Sequence, residues 1–313
     1  MKTRSVVLAL LLLIFPAIAQ SWDSRLLQQP VLIDGLAINY PVFAIYRTPG
    51  TLLAVSAEGG IELVDAPPGA VAAGGVSAAG VVEKLVVPAQ SGWHRYRLAN
   101  KATGEELVLN VYAAVPYKKL DAGGYLDDYR VGQYPKERLR NLEIYDPPTG
   151  FVRITEADTA MPVSPNFTVG QFPSKQSGEY PKYLVLRSAL LIKLESILRA
   201  LNEAGHNISS FHVMSGYRTP FYNKAIGNVE YSRHVWGGAA DIYVDESPRD
   251  GYMDDLNGDG LLNKEDAVWL ADFIDGMSSV GKFATLGGVG IYGSNAAHGP
   301  FVHVDVRGYR ARW

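Results

Sequence analysis

Ser232-Arg233-His234-Val235-Trp236-Gly237-Gly238-Ala239-Ala240-Asp241 is the stretch on which the fold of the C-terminal half turns. Polar residues give way to two glycines, then to small apolar residues that end in an acid. That order reads as a loop, a sharp bend permitted by Gly237 and Gly238, and a strand. A second stretch, His298-Gly299-Pro300-Phe301-Val302-His303-Val304-Asp305, has the same polar, strand-end character. Three of the chain's six histidines, His234, His298 and His303, lie in these contexts. Neutral imidazole and carboxylate are good zinc ligands, and two His with one Asp leave a coordination position open, as catalytic zinc sites do. His234 and Asp241 are seven residues apart, so they do not share one helical turn. A loop leading into a strand brings both to one metal. The residues alone leave a second reading open, in which these are separate surface or hydrogen-bonded histidines.

Outward from these stretches, the periodicity predicts a helix over Tyr183–Ala204. Leu186, Leu190, Leu194, Ile197, Leu198 and Leu201 recur at three- and four-residue steps and build one apolar face, with Gly205 as the stop. Ser210 to Met214 reads as a buried strand, Lys264 to Met277 as a second helix, and 288–293 and 300–306 as closing strands. The segment 116–182 is rich in Pro, Gly and Tyr and reads as loops. Residues 116–313 are thus expected to form an α+β domain, a small antiparallel sheet with helices. Residues 20–115 have a different rhythm. Short alternating segments (Phe43–Tyr46, Leu52–Val55, Leu85–Val87, Leu107–Tyr112) are separated by Pro49-Gly50, Gly59-Gly60 and Pro67-Pro68-Gly69. They predict an all-β, Ig-like antiparallel sandwich. Gly92–Leu98 and Leu107–Tyr112 read as a hairpin around the turn 100–104, with His94 an exposed strand residue rather than a ligand.

Composition narrows the function. Lys and Arg number 29 against 32 Asp and Glu, so no basic excess exists to neutralise phosphates, and nucleic-acid partners are excluded on bulk charge. At 47% apolar content and a net charge of -3 the chain can build a core, which disfavours intrinsic disorder. There is no cysteine, which removes disulfides, thiolate metal sites and Cys nucleophiles. Lys2 and Arg4, the apolar run Val6–Phe15 and Ala17-Ile18-Ala19 read as a secretory signal peptide over 1–19 with Gln20 as the mature start. The expectation is an exported protein, periplasmic or secreted, with no membrane span after cleavage.

The two opening stretches carry a resemblance. Ser232, His234, Gly237, Ala239 and Asp241 fill the pattern Ser-x-His-x-x-Gly-x-Ala-x-Asp; Ser215-Gly216-Tyr217-Arg218-Thr219-Pro220 with Tyr222-Asn223 form an upstream element, and Phe301–Gly308 a closing one. Over residues 160–313 the chain resembles the zinc D-Ala-D-Ala carboxypeptidase and peptidoglycan endopeptidase family, with its Hedgehog-like metallopeptidase fold. The resemblance implies that His234, Asp241 and His303 hold zinc. It implies that Arg218 stabilises an oxyanion or a substrate carboxylate, and that His298 contacts the reaction centre. It also implies peptidoglycan peptides as substrate and hydrolysis by metal-activated water. One departure matters. Many members place an acid three residues before the last zinc histidine, as general base on the attacking water; here that residue is Pro300. Asp305, two residues beyond His303, is the nearest replacement, and orienting His303 is an equally sound role for it. Pro300 keeps a rival reading in view: an inactive zinc- and calcium-bearing binding domain at the cell wall.

The calcium in that rival comes from a separate motif. Asp255-Leu256-Asn257-Gly258-Asp259-Gly260-Leu261-Leu262-Asn263-Lys264-Glu265-Asp266 reads as a twelve-residue calcium loop, with Asp255, Asn257, Asp259, the Leu261 carbonyl and Asp266 as ligands. Asp at its last position resembles dockerin loops, and a structural clip beside the zinc site is the expected role.

Overall fold

The structure is a computed structural model that describes residues 21–70 and 84–313; the expected signal segment 1–19 lies outside them. Among the described residues the N-terminal part consists of two four-stranded sheets. One runs in the order Leu36–Ile38, Val31–Ile33, Leu52–Ser56, Lys84–Val86. The other runs Val42–Arg47, Glu106–Ala113, Gly92–Asn100, Ile61–Asp65. Leu53 and Val55 point inward while Leu52, Ala54 and Ser56 face solvent, the alternation of a half-buried strand. The expected hairpin is present, with Tyr96 opposite Leu109 and Leu98 opposite Leu107. One pairing departs from an antiparallel sandwich: Val42–Arg47 runs parallel to Glu106–Ala113. After Arg47 the chain turns through Pro49-Gly50 into the opposite sheet, so this strand makes no hairpin with its neighbour and its direction is set by the crossing.

The C-terminal part is built on a five-stranded sheet in the order His212–Ser215, Ala239–Tyr243, Phe301–Asp305, Gly288–Tyr292, Ala311–Arg312. All its pairings are antiparallel except the last. Helix α1 spans Ser188–Glu203, α2 is the short Pro220–Ala225, and α3 spans Lys264–Ser279. The apolar face of α1 buries Leu190, Leu194, Ile197, Leu198 and Leu201 completely.

The helix expected from Tyr183 begins five residues later. Lys182–Leu184 is instead a strand, with Leu184 opposite Val152, and Arg187 remains extended as the residue before the helix. Tyr183 and Leu184 are buried in either conformation, so apolar periodicity could not tell the two apart. Arg187 puts this local switch to use: its N–H donates to Gly237 O (2.9 Å) and its Nε to Trp236 O (3.0 Å). The start of α1 therefore braces the loop that carries His234. α2 escaped the periodicity because six residues are too few, although Thr219 as N-cap (accepting from Tyr222 N, 3.0 Å) and Pro220 at the first position mark it.

One hydrophobic cluster runs from Phe43 and Leu109 of the N-terminal sheets through Ile154 and Phe167 into α1 and the five-stranded sheet. Polar ties cross the same contact. Buried Tyr112 donates its hydroxyl to Arg153 O and accepts from Arg153 N, each at 2.8 Å. Tyr112→Phe strips a part-buried N–H and C=O of their partner, at a cost of about 1 kcal/mol. Chemical denaturation checks it, and because the core is shared, the loss should appear in one cooperative transition rather than in N-terminal sheets that melt alone.

Candidate metal centre

Register places the site. Asp241 stands directly opposite His303 across the antiparallel pair, and Ser215 stands opposite Asp241 on its other side. Directly opposed residues point to the same face of a sheet, so 62 residues of chain separation collapse to 2.9 Å between His303 Nδ1 and Asp241 Oδ1. His234 arrives from the 3-10 turn Arg233–Trp236. Its Nε2 lies 3.1 Å from His303 Nδ1 and 3.2 Å from Asp241 Oδ1.

The turn is held by an aromatic cage. Trp236 packs edge-on against Tyr134 and Tyr145 and stacks on Tyr231, while Tyr134 OH donates to Val235 O (2.9 Å). Gly237 closes the turn at φ +64. A Cβ there would lie 2.2 Å from Val185 O, so both conformation and space demand glycine.

The imidazoles are pre-oriented. His234 Nδ1 donates to Gly216 O at 2.7 Å, which leaves the Nε2 lone pair facing the cluster. His303 Nε2 faces Asp305 Oδ2 at 3.3 Å, which leaves Nδ1 facing the cluster. Two imidazole nitrogens and one carboxylate oxygen, all within 4.8 Å of one another, form a group that fits a metal ion. It is the donor set of an open zinc site, and the carboxylate behind His303 is the usual support for such a ligand.

Electrostatics favour that fit at His234 and Asp241 and oppose it at His303. Burial pushes the His234 pKa down and keeps the ring neutral. For Asp241, burial pulls the carboxyl upward, but His234 and His303 outweigh it and hold it well below the usual carboxylate range. Burial also opposes a charged His303, yet hydrogen bonds to Asp241 and Asp305 win and raise its pKa. Arg218 completes the surround: Nε donates to Ser215 Oγ (2.8 Å) and Nη2 makes a short ion pair with Asp241 Oδ2.

Asp305 is fully buried and crowded with donors. It accepts from Gly288 N, from Arg307 N and from the Arg307 guanidinium, besides facing His303. It stands at the edge of the His303 ring turned away from the cluster. Of the two roles set out for it, the orienting one matches this placement. His298 is bound to Asn295 and to Gly299 O through its ring nitrogens and lines the same cleft as the cluster without joining it. Pro300 is buried at the start of the last long strand. The calcium-loop acids do not gather as the zinc set does: Asp255 accepts from Gly258, Asp259 and Gly260, Asp259 from Leu261, and buried Asp266 from Leu256 and Asn263.

Three supporting residues escaped sequence reasoning. Lys193 is 2% exposed on the apolar face of α1 and donates to Asp305 O (2.9 Å); a lysine inside a leucine stripe was the available signal. Arg307 neutralises Asp305. Trp313 lies beside His303 with 5.3 Å between ring centres, at the chain end, where no pattern marks it. The cluster opens into a cleft of about 890 Å³ lined by Arg218, Tyr231, Tyr292, His298, Arg307 and Trp313, among others.

Residues 167–253 match the family model described as Peptidase M15. The match takes in the Ser215–Pro220 element, His234 and Asp241, and ends before His303. Comparison with curated proteins finds no matching relative. The family match and the His-Asp-His cluster together support a zinc-dependent metallopeptidase.

Two predictions follow from the geometry. Gly237→Ala is expected to destabilise by more than ~1 kcal/mol from the left-handed conformation alone, with the clash on Val185 added, and to abolish metal binding; a thermal melt with metal analysis checks both. In the metal-free protein, His303 holds its proton more tightly than an ordinary imidazole, and a metal must displace it. Zinc affinity should therefore be full above the raised His303 value and fall as pH drops through it, starting above the ordinary 6.5. Chelator competition across that range tests this, and a flat affinity contradicts it.

Proposed function

We propose that the chain is an exported zinc peptidase that hydrolyses peptide bonds to D-amino acids in peptidoglycan, as a D,D-carboxypeptidase or endopeptidase. The observation that carries this reading is the buried His234–Asp241–His303 cluster opening into a cleft, with Arg218 beside it. When bound there, zinc lowers the pKa of water and polarises a carbonyl. The chain's own residues then have distinct tasks. Asp305 holds His303 in the tautomer whose Nδ1 faces the cluster. The Gly216 carbonyl does the same for His234. Arg218 holds the Asp241 carboxylate through Nη2, and its guanidinium receives the developing oxyanion or the substrate carboxylate. His298, on the cleft wall, would take the proton that the attacking water loses and pass it to the leaving amine, exchanging its contact with Asn295 for the proton.

Incubation of cross-linked muropeptides with the zinc-loaded protein, followed by mass spectrometry, tests the reading. Loss of one D-Ala identifies a carboxypeptidase, and conversion of dimers to monomers an endopeptidase. His234→Ala and a chelated sample should leave the muropeptides intact. Pro300 favours a second reading, a zinc-bearing wall-binding domain; intact muropeptides with zinc verified as bound would select it.

We further propose that the 255–266 loop takes calcium as a structural clip. Support comes from Asp255, Asn257 and Asp259 at alternate positions and from Gly260 at φ +81 where the loop must turn sharply. Calcium should slow hydrogen exchange across residues 245–270. Exchange there that ignores calcium contradicts the clip.

A further inference from the structure

We propose that Arg233 is an anion subsite of the cleft that takes a second carboxylate of the substrate, so that the peptide accepted is an acidic one. This rests on the peptidase reading above and names its substrate class more closely. Arg233 is the chain neighbour of His234 in the same 3-10 turn. It is 8% exposed and lines the cleft. Its guanidinium carbon lies over the Tyr145 ring, 4.3 Å from the centroid, and Nη1 is buried with no hydrogen-bond partner.

The neighbouring guanidiniums are all served. Arg187 donates to Trp236 O and Ile144 O, Arg218 to Ser215 and Asp241, and Arg307 to Asp305. Arg233 alone of these four has neither an ion pair nor a side-chain hydrogen bond among the described residues. A buried charged donor without an acceptor is unfavourable, and a ring face satisfies only part of its demand. The flat guanidinium fork is shaped for the two oxygens of a carboxylate.

The charge of the cleft points the same way. Arg140, Lys175, Arg218, Arg233 and Arg307 line it, against the single carboxylate of Asp241, while the chain as a whole carries -3. Asp241 is already shared by Arg218 and two histidines. With Arg307 paired to Asp305 and Arg218 to Asp241, the charges of Arg140, Lys175 and Arg233 are left without a carboxylate among the residues of the cleft, and an anionic ligand supplies the balance.

The test uses two short peptides ending in D-Ala-D-Ala. They differ only in whether the preceding residue carries a free side-chain carboxylate or the corresponding carboxamide. Binding to the full, chelator-treated chain is measured by calorimetry, so turnover is not required. Wild type should bind the carboxylate peptide roughly 10- to 100-fold more tightly, the range of one charge-assisted hydrogen-bonded pair. Arg233→Gln should erase that preference and leave the carboxamide affinity unchanged, and Arg233→Lys should restore part of it. A purely structural Arg233 would weaken both peptides equally, which overturns the proposal. Equal affinity of wild type for the two peptides, or no binding of either, also overturns it. If the Gln variant does not fold, the Lys variant, which keeps a cation over Tyr145, carries the comparison through a reduced preference. Hydrolysis of the same peptides by zinc-loaded protein is read separately: a retained preference without cleavage sinks the peptidase reading and leaves the subsite standing.

Discussion

The antiparallel pairing of Ala239–Tyr243 with Phe301–Asp305 is the constraint on which the rest depends. Its register sets Asp241 against His303, and a slip of one residue would turn every side chain of one strand to the other face. Both strands are buried along their whole length, so such a slip would also drive Val302 and Val304, or Ile242, out of the core. The hydrophobic demand and the chemical demand thus select the same register. α1 defends it from behind, where buried Lys193 ties itself to the Asp305 carbonyl.

Around that pairing the charges alternate. Arg218, Asp241, His303, Asp305 and Arg307 follow one another, each in contact with the next. Isolated, any of these groups would be expensive to bury; in sequence, each offsets the desolvation of its neighbours. The same chain fixes the ring of His303, since a carboxylate on either edge leaves it one orientation. His234 is held by different means, a backbone carbonyl on one nitrogen and an aromatic cage around its turn. The site is thus braced by polar contacts on the sheet side and apolar ones on the loop side.

Legibility followed the range of the interactions. The strands of the N-terminal sheets and the apolar face of α1 could be read because alternation and 3.6-residue repeats are local properties. The Gly237 bend could be read for the same reason, since its two glycines adjoin the strand they serve. The start of α1 could not, because the pairing of Tyr183 with a strand thirty residues upstream decides it. Nor could the parallel placement of Val42–Arg47, which is a matter of which sheet the chain crosses to. The residues that complete the site, Lys193, Arg307 and Trp313, come from a helix face, a loop and the last residue of the chain, and only the fold shows that they meet. Asp305 illustrates the limit most clearly. Its spacing from His303 places both side chains on the same face of the strand, but whether it faces the reacting water or the back of the imidazole depends on the neighbouring Arg307 and on Gly288 of the adjacent strand.

His234, Asp241 and His303 are placed to share one metal ion. X-ray absorption at the zinc edge of the zinc-loaded protein tests this most directly. Two imidazole nitrogens at ~2.0–2.1 Å with one carboxylate oxygen at a similar distance, and loss of one imidazole shell in His303→Ala, is the predicted result. A zinc environment that is unchanged in His303→Ala, or that contains no imidazole, would contradict it.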